Sequence, residues 1–231
     1  MTGTDPFGGM LTLFLFVAAV FAGIAFLSWK VDQARHRRNK AFAEANGWSY
    51  IPRDDALIKV FATPPFGLGN RRKVTDAMRG DYRGHEALVF GYQYTTHSSD
   101  QHGGSSKTHH HRVCVVKIPG SMPLVRLIPE SVFSRIATAL GGTDVEVESE
   151  EFNRLWKVWS RDERAAHAIL TPRMIERLLA RDAVGQPLAF EPGFLMTYEK
   201  GKLDLPSSPI PLDLLGEIAD LVPEFLAEDY R

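Results

Sequence analysis

A single cysteine, Cys114, occurs in 231 residues, which excludes an intrachain disulfide framework and any cysteine-built zinc module. An excess of one charge is missing as well: 27 Lys and Arg against 28 Asp and Glu leave a formal net charge of −1. Dedicated nucleic-acid binders carry a basic surplus, so nucleic acid is not an expected partner. Catalytic signatures are also lacking. There is no Gly-x-Ser-x-Gly elbow and no Gly-x-x-x-x-Gly-Lys-Ser/Thr phosphate loop, and Gly67-Leu-Gly69 reads as a turn. Cys114 lies in the apolar run Val113-Cys-Val-Val116, where a thiol is an inert core group. Whether the protein is an enzyme stays open, leaning against, and no cofactor is expected.

What is present begins with an apolar run. The 24 residues from Pro6 to Trp29 hold no charge, and Met10 to Trp29 alone is 20 residues. As a helix rising about 1.5 Å per residue, those 20 residues span about 30 Å, the thickness of the hydrocarbon layer. Backbone polar groups find no water there, so the run must be helical. A cleaved signal peptide would need a basic N-terminal region, whereas Asp5 is the one charge before Lys30. The basic residues Lys30, Arg35, Arg37, Arg38 and Lys40 all follow the run, and Trp29 stands where an indole prefers the lipid–water boundary. Positive flanks stay inside, so the expectation is a single-pass plasma-membrane protein with its N-terminus outside and its C-terminal domain in the cytoplasm. The basic cluster also offers sites for anionic lipid headgroups. Small residues at Ala18/Ala22 and Ala19/Gly23 are spaced for close helix pairing, which makes a homodimer through this helix one option.

Three segments are expected: residues 1–29 as a short outside terminus and transmembrane helix, 30–47 as a basic juxtamembrane helix, and 48–231 as a cytoplasmic α+β domain. The juxtamembrane helix shows an apolar stripe, Val31, Ala34, Ala41, Phe42 and Ala45, and stops at Asn46-Gly47. Beyond it, Trp48–Ile51 reads as a strand and residues 54–61 as a short helix. Arg83-Gly84 separates two strand-like runs, the second with Leu88, Phe90, Tyr92 and Tyr94 on one face. Residues 97–107 read as a polar loop, 108–118 and 123–128 as strands, and Pro129 as the start of a helix to Leu140. Residues 143–147 and 155–159 look extended, with Trp156 and Trp159 on opposite sides. Ser160 with Glu163 forms a capping-box pattern, and Thr171-Pro172 opens a further helix. Strands at 188–190 and 194–199 and an amphipathic helix over 211–228, bent near Pro223, complete an α+β domain of antiparallel strands with several packed helices.

Charge is unevenly placed, at +3 for residues 1–40, +4 for 41–140 and −8 for 141–231. A basic side near the membrane suits docking on anionic lipid. The acidic group Glu146, Glu148, Glu150 and Glu151 reads as a solvated edge.

Five of the eight histidines, His97, His102, His109, His110 and His111, fall within 15 residues. On a strand His109 and His111 share one face and His110 takes the other. A hairpin that set His97 opposite His109 or His111 would supply three imidazoles, enough for an open zinc or copper site.

Residues 150–162, Glu-Glu-Phe-Asn-Arg-Leu-Trp-Lys-Val-Trp-Ser-Arg-Asp, and the Leu-Thr-Pro segment leading to Leu178-Leu179 resemble a group of uncharacterised bacterial membrane proteins. These carry a cytoplasmic domain of unknown function and are of the high-G+C Gram-positive type. Gly80-Asp-Tyr-Arg-Gly84 is similar to the same group. The resemblance implies membrane attachment, a strand at Phe152-Asn153 and no catalytic residues.

The expected function is therefore a membrane-anchored module that binds an unidentified protein or the membrane face. The alternatives are a metal-binding or metal-dependent protein using the histidine hairpin, and a lipid-handling module.

Overall fold

The computed structural model describes residues 6–100, 103–130, 143–205 and 211–230. Helix α1 runs unbroken from Pro6 to Ala45, 40 residues or about 60 Å. It is long and apolar enough to cross a membrane, and every described side chain from Leu13 to Val31 is exposed. Among the described residues the chain then folds as a nine-stranded antiparallel sheet with short helices. In chain order the strands are β1 (Ser49–Arg53), β2 (Asn70–Tyr82), β3 (His85–Asp100), β4 (Gly103–Lys117), β5 (Val125–Pro129), β6 (Thr143–Asp144), β7 (Trp156–Ser160), β8 (Leu188–Glu191) and β9 (Phe194–Lys200). Their order across the sheet is β1-β2-β3-β4-β9-β8-β5-β7-β6.

Strand alternation sorts the side chains into two cores. Ala87, Val89, Cys114, Val116 and Leu195 face helices α2 (Glu150–Leu155), α3 (Glu163–Ile169), α4 (Pro172–Leu178), α5 (Leu212–Asp220) and α6 (Glu224–Asp229). Leu88, Phe90, Tyr92, Tyr94, Val113 and Val115 face the segment between β1 and β2, which presses Leu57, Phe61 and Phe66 onto the sheet. Burying one such side chain stabilises the fold by roughly 1.5–3 kcal/mol. Arg83-Gly84, both at positive φ, makes the two-residue turn between β2 and β3.

Several local expectations change. The hairpin β3–β4 stays paired from Ala87↔Val116 to Asp100↔Gly103, so residues 97–100 and 103–107 are strand where the sequence reads as loop. Ladder hydrogen bonds are indifferent to polar side chains, which is why composition missed them. Helix α3 is capped by Asp162, whose carboxylate accepts the Ala165 N–H at 3.0 Å, while Ser160 Oγ bonds within the preceding turn. Phe152 and Asn153 lie in α2, capped by Ser149, and are helical rather than extended. Thr171 caps α4 as expected. The terminal helix is two helices, broken at Pro223, which cannot donate to the preceding turn. Pro129 belongs to β5, and the expected helix beyond Glu130 lies outside the described residues, as do residues 206–210.

Candidate functional site

Two features meet across β4: a polar clamp holding α1, and an aromatic cleft on the opposite sheet face.

The clamp uses a stripe of α1 that hydropathy does not mark. Asp32, Arg35, His36, Asn39, Phe42 and Ala43 turn toward the domain, whereas Val31, Ala34, Ala41 and Ala45 stay exposed. The expected apolar stripe is therefore not the docking face, apart from Phe42. Asn39 is fully buried: its Nδ2 donates to Leu203 O at 3.0 Å and its Oδ1 accepts the Leu205 N–H at 2.8 Å. Arg38 grips Asp204 through Nε (3.0 Å) and Nη2 (2.8 Å), and Lys202 reaches Asp32 at 2.9 Å. Arg35 donates to the same Asp32 oxygen at 2.7 Å.

A buried carboxylate completes the clamp. Asp76 Oδ1 accepts from His36 Nδ1 at 2.7 Å and from Tyr50 Oη at 2.6 Å. Alternation from Val74 would turn Asp76 toward the cleft-side core. A β-bulge between Thr75 and Met78, with Asp76 at φ 52°, sets Asp76 beside Thr75 on the α1 side instead. Asp tolerates that left-handed backbone better than a branched residue does. Asp32, Arg35, His36 and Asp76 enclose, with Gln93 and His110, a polar pocket of about 140 Å³.

The expected membrane-facing basic cluster thus divides. Arg35 and Arg38 are engaged in the clamp, Lys40 pairs with Glu44 at 3.6 Å, and Lys30 lies over the Phe26 ring at 5.5 Å. Trp29 packs against the same Phe26 with centroids 5.9 Å apart, and Arg37 is exposed.

On the other face, His109 and His111 stand together and His110 points away, as alternation requires. His97 pairs with Ser106 rather than with either of them, because the hairpin register sets Tyr94 opposite His109 and Tyr92 opposite His111. Among the described residues no three His, Cys, Asp or Glu side chains gather to hold a metal ion. The imidazoles stack on Tyr94 instead: His109 at 4.8 Å and 15°, His111 at 5.7 Å and 8° between planes. Tyr198 meets His111 edge-on at 6.1 Å.

These rings line a cleft of about 500 Å³ whose far wall is Pro64, Pro65 and Leu68, with Gln186 and Pro187 at one end. The far wall is pinned twice. Glu191, buried on β8, accepts the N–H groups of Ala62 (2.9 Å) and Thr63 (2.7 Å), and Arg72 Nε donates to Leu68 O at 3.0 Å. Burial and the nearby Lys200 hold the His111 imidazole at about 4, so it is neutral at pH 7, and burial pushes the Tyr198 phenol up to about 12. Two polar atoms buried behind this lining, His111 Nδ1 and Gln186 Oε1, have no hydrogen-bond partner among the described residues. Burial also raises the Cys114 thiol well above its usual range, which makes it unreactive.

Sequence reasoning missed His36, Asn39, Tyr50, Asp76 and Gln186. The available signals were Asn39 amid a helical stripe, and Asp76, a poor strand former, inside a run that otherwise alternates.

Residues 106–191, from β4 to β8, match the family described as "Protein of unknown function (DUF3137)". The structure is similar to the crystal structure of the mycobacterial trehalose monomycolate transport factor A, TtfA. The TM-score is 0.50 at 14% identity, over 80% of this chain and 90% of that one. At that identity the likeness is one of fold. No curated protein matches. The expected likeness to a domain of unknown function holds, and neither comparison names an enzyme family.

Proposed function

We propose that this protein is a membrane-anchored, non-catalytic docking module whose domain is held at a fixed height and attitude beside the bilayer, on the cytoplasmic side. The observation that carries the proposal is the clamp. Asn39 lies ten residues beyond Trp29 on one unbroken helix, about 15 Å from the expected membrane boundary. A domain tied there by buried hydrogen bonds cannot swing as it would on a flexible tether. Fixed pose serves recognition of another membrane-bound protein, whose own height is also set. The similar TtfA is named a trehalose monomycolate transport factor, a name in keeping with a non-catalytic role. The basic flank, with no counterpart before the apolar run, supports the cytoplasmic orientation.

The test is affinity capture of the full chain from its native membranes, compared with a chain carrying a Gly/Ser insertion between Lys30 and Val31. We expect a stoichiometric partner with the natural chain and its loss with the insertion, the domain melting unchanged. Equal capture by both chains would refute the role of pose, and no partner with either would refute docking.

A further inference from the structure

The outer half of the β3–β4 hairpin belongs to neither the clamp nor the cleft, yet the clamp sets its direction. Three contacts give that direction. Trp48, whose backbone N–H bonds Ala43 O near the C-terminal end of α1, donates through Nε1 to Asp81 O, and Asp81 pairs with Glu86 near the start of β3. Further along β3, Gly91 pairs with Thr75, beside the Asp76 that meets His36. Gln93 and His110 then share a pocket with Asp32 and Arg35. As β3 advances it therefore moves toward the apolar end of α1.

Beyond that level the hairpin continues alone. Pairing with β2 stops at Asn70↔Thr95 and pairing with β9 at His111↔Lys200, so among the described residues no third strand borders 96–100 or 103–109. Asp100 is seven residues past Gln93, about 23 Å of strand. From His36 back to Trp29 is about 10 Å of helix, so the arm reaches the expected membrane boundary even when inclined by about 60° to α1.

The chemistry of the arm selects the layer it meets. Its exposed described side chains are Thr96, His97, Ser98, Ser105, Ser106 and Lys107, and no apolar side chain occurs from 96 to 107. Hydrocarbon cannot satisfy these groups or two unpaired strand edges, whereas hydrated headgroups can. Hydroxyl, imidazole and ammonium donors match the oxygens of a lipid phosphate, which only accept. Ser98 Oγ meets Ser105 Oγ at 2.7 Å and Thr96 Oγ1 meets His109 Nε2 at 2.9 Å, so the arm is held as one ribbon.

We propose that the outer half of the β3–β4 hairpin is a second membrane contact, resting among the lipid headgroups of the leaflet from which α1 emerges and donating hydrogen bonds to their phosphates. It rests on the reading of α1 as the membrane anchor.

The test places a fluorophore on single cysteines of the full chain in nanodiscs of phosphatidylcholine and phosphatidylglycerol; the native Cys114 is buried and stays unlabelled. The sites are Ile24→Cys on α1, Ser106→Cys on the arm and Lys117→Cys, about 36 Å along the same strand from Ser106. Nitroxide lipids labelled on the headgroup or deep in the acyl chain act as quenchers. The Ser106 site should lose at least half its emission to headgroup nitroxide and little to acyl nitroxide, Lys117 should be insensitive to both, and Ile24 should respond to acyl nitroxide. Quenching at Ser106 no greater than at Lys117, or stronger from the acyl nitroxide, would overturn the proposal and leave the anchor standing. An Ile24 site blind to acyl nitroxide would overturn both. Crosslinking from Ser106→Cys to another protein or a second copy, with no headgroup quenching, would also overturn it and assign the arm to that partner.

Discussion

Strand β4 separates two surfaces built on opposite principles. On the side of His110, Asp32, His36, Asn39 and Lys202 all find partners, and Arg35 Nε is a buried atom without a hydrogen bond among the described residues. On the side of His109 and His111, aromatic rings and prolines line an open cleft, with two buried atoms behind them that have no hydrogen-bond partner among the described residues. A saturated polar contact has no capacity left and serves to hold. The cleft side leaves about 500 Å³ of open space instead. The three consecutive histidines divide between these two sides, which shows that residue type alone does not fix which surface a side chain joins.

The comparison breaks most readily at Asn39. Asn39→Ala strands Leu203 O and the Leu205 N–H in the interior, and should cost about 3 kcal/mol in urea unfolding of the full chain in micelles. A loss below about 1 kcal/mol would mean that the clamp is not held there.

The cleft side responds to pH. His111 takes its proton at about 4 in the folded chain but near 6.5 when unfolded. Between those values the unfolded chain binds a proton that the folded chain refuses. Stability from this group is therefore complete above pH 6.5 and falls as pH drops toward 4, by about 2–3 kcal/mol. His111→Phe should flatten the acid limb of a stability–pH curve by that difference, and an unchanged limb would show that the imidazole is not buried as described.

A third test probes what lies under the end of α1. Trp48 packs edge-on against Phe42 and directly over Gly80, where an added methyl would overlap the indole. Gly80→Ala should lower stability by about 2 kcal/mol, read from the melting temperature. The smallest expected effect concerns the bulge. Single and double substitutions His36→Ala and Asp76→Ala should give a coupling energy of about 1 kcal/mol, whereas independent effects would mean that the 2.7 Å contact does not tie helix to sheet.

The long apolar helix, the α+β class, the tight turn at Arg83-Gly84, the Thr171 cap and the shared face of Leu88, Phe90, Tyr92 and Tyr94 were all legible in the sequence. Each is a local consequence of period, turn chemistry or length. The docking face of α1 was not legible, because hydrophobic periodicity marks apolar contacts and this contact is made by Asp32, His36 and Asn39. Nor was the separation of His97 from His109 and His111, which depends on a register that the residues of 97–107 do not announce.

The sequence by itself determined where a membrane can be crossed, which segments alternate as strands, and that no catalytic motif is present, since these follow from side-chain chemistry along the chain. Tertiary structure alone decided that a one-residue bulge aims Asp76 at His36 and that a loop wall faces Tyr94. Those outcomes depend on residues far apart in the chain arriving within hydrogen-bond reach, and only the packed fold fixes which atoms find a partner.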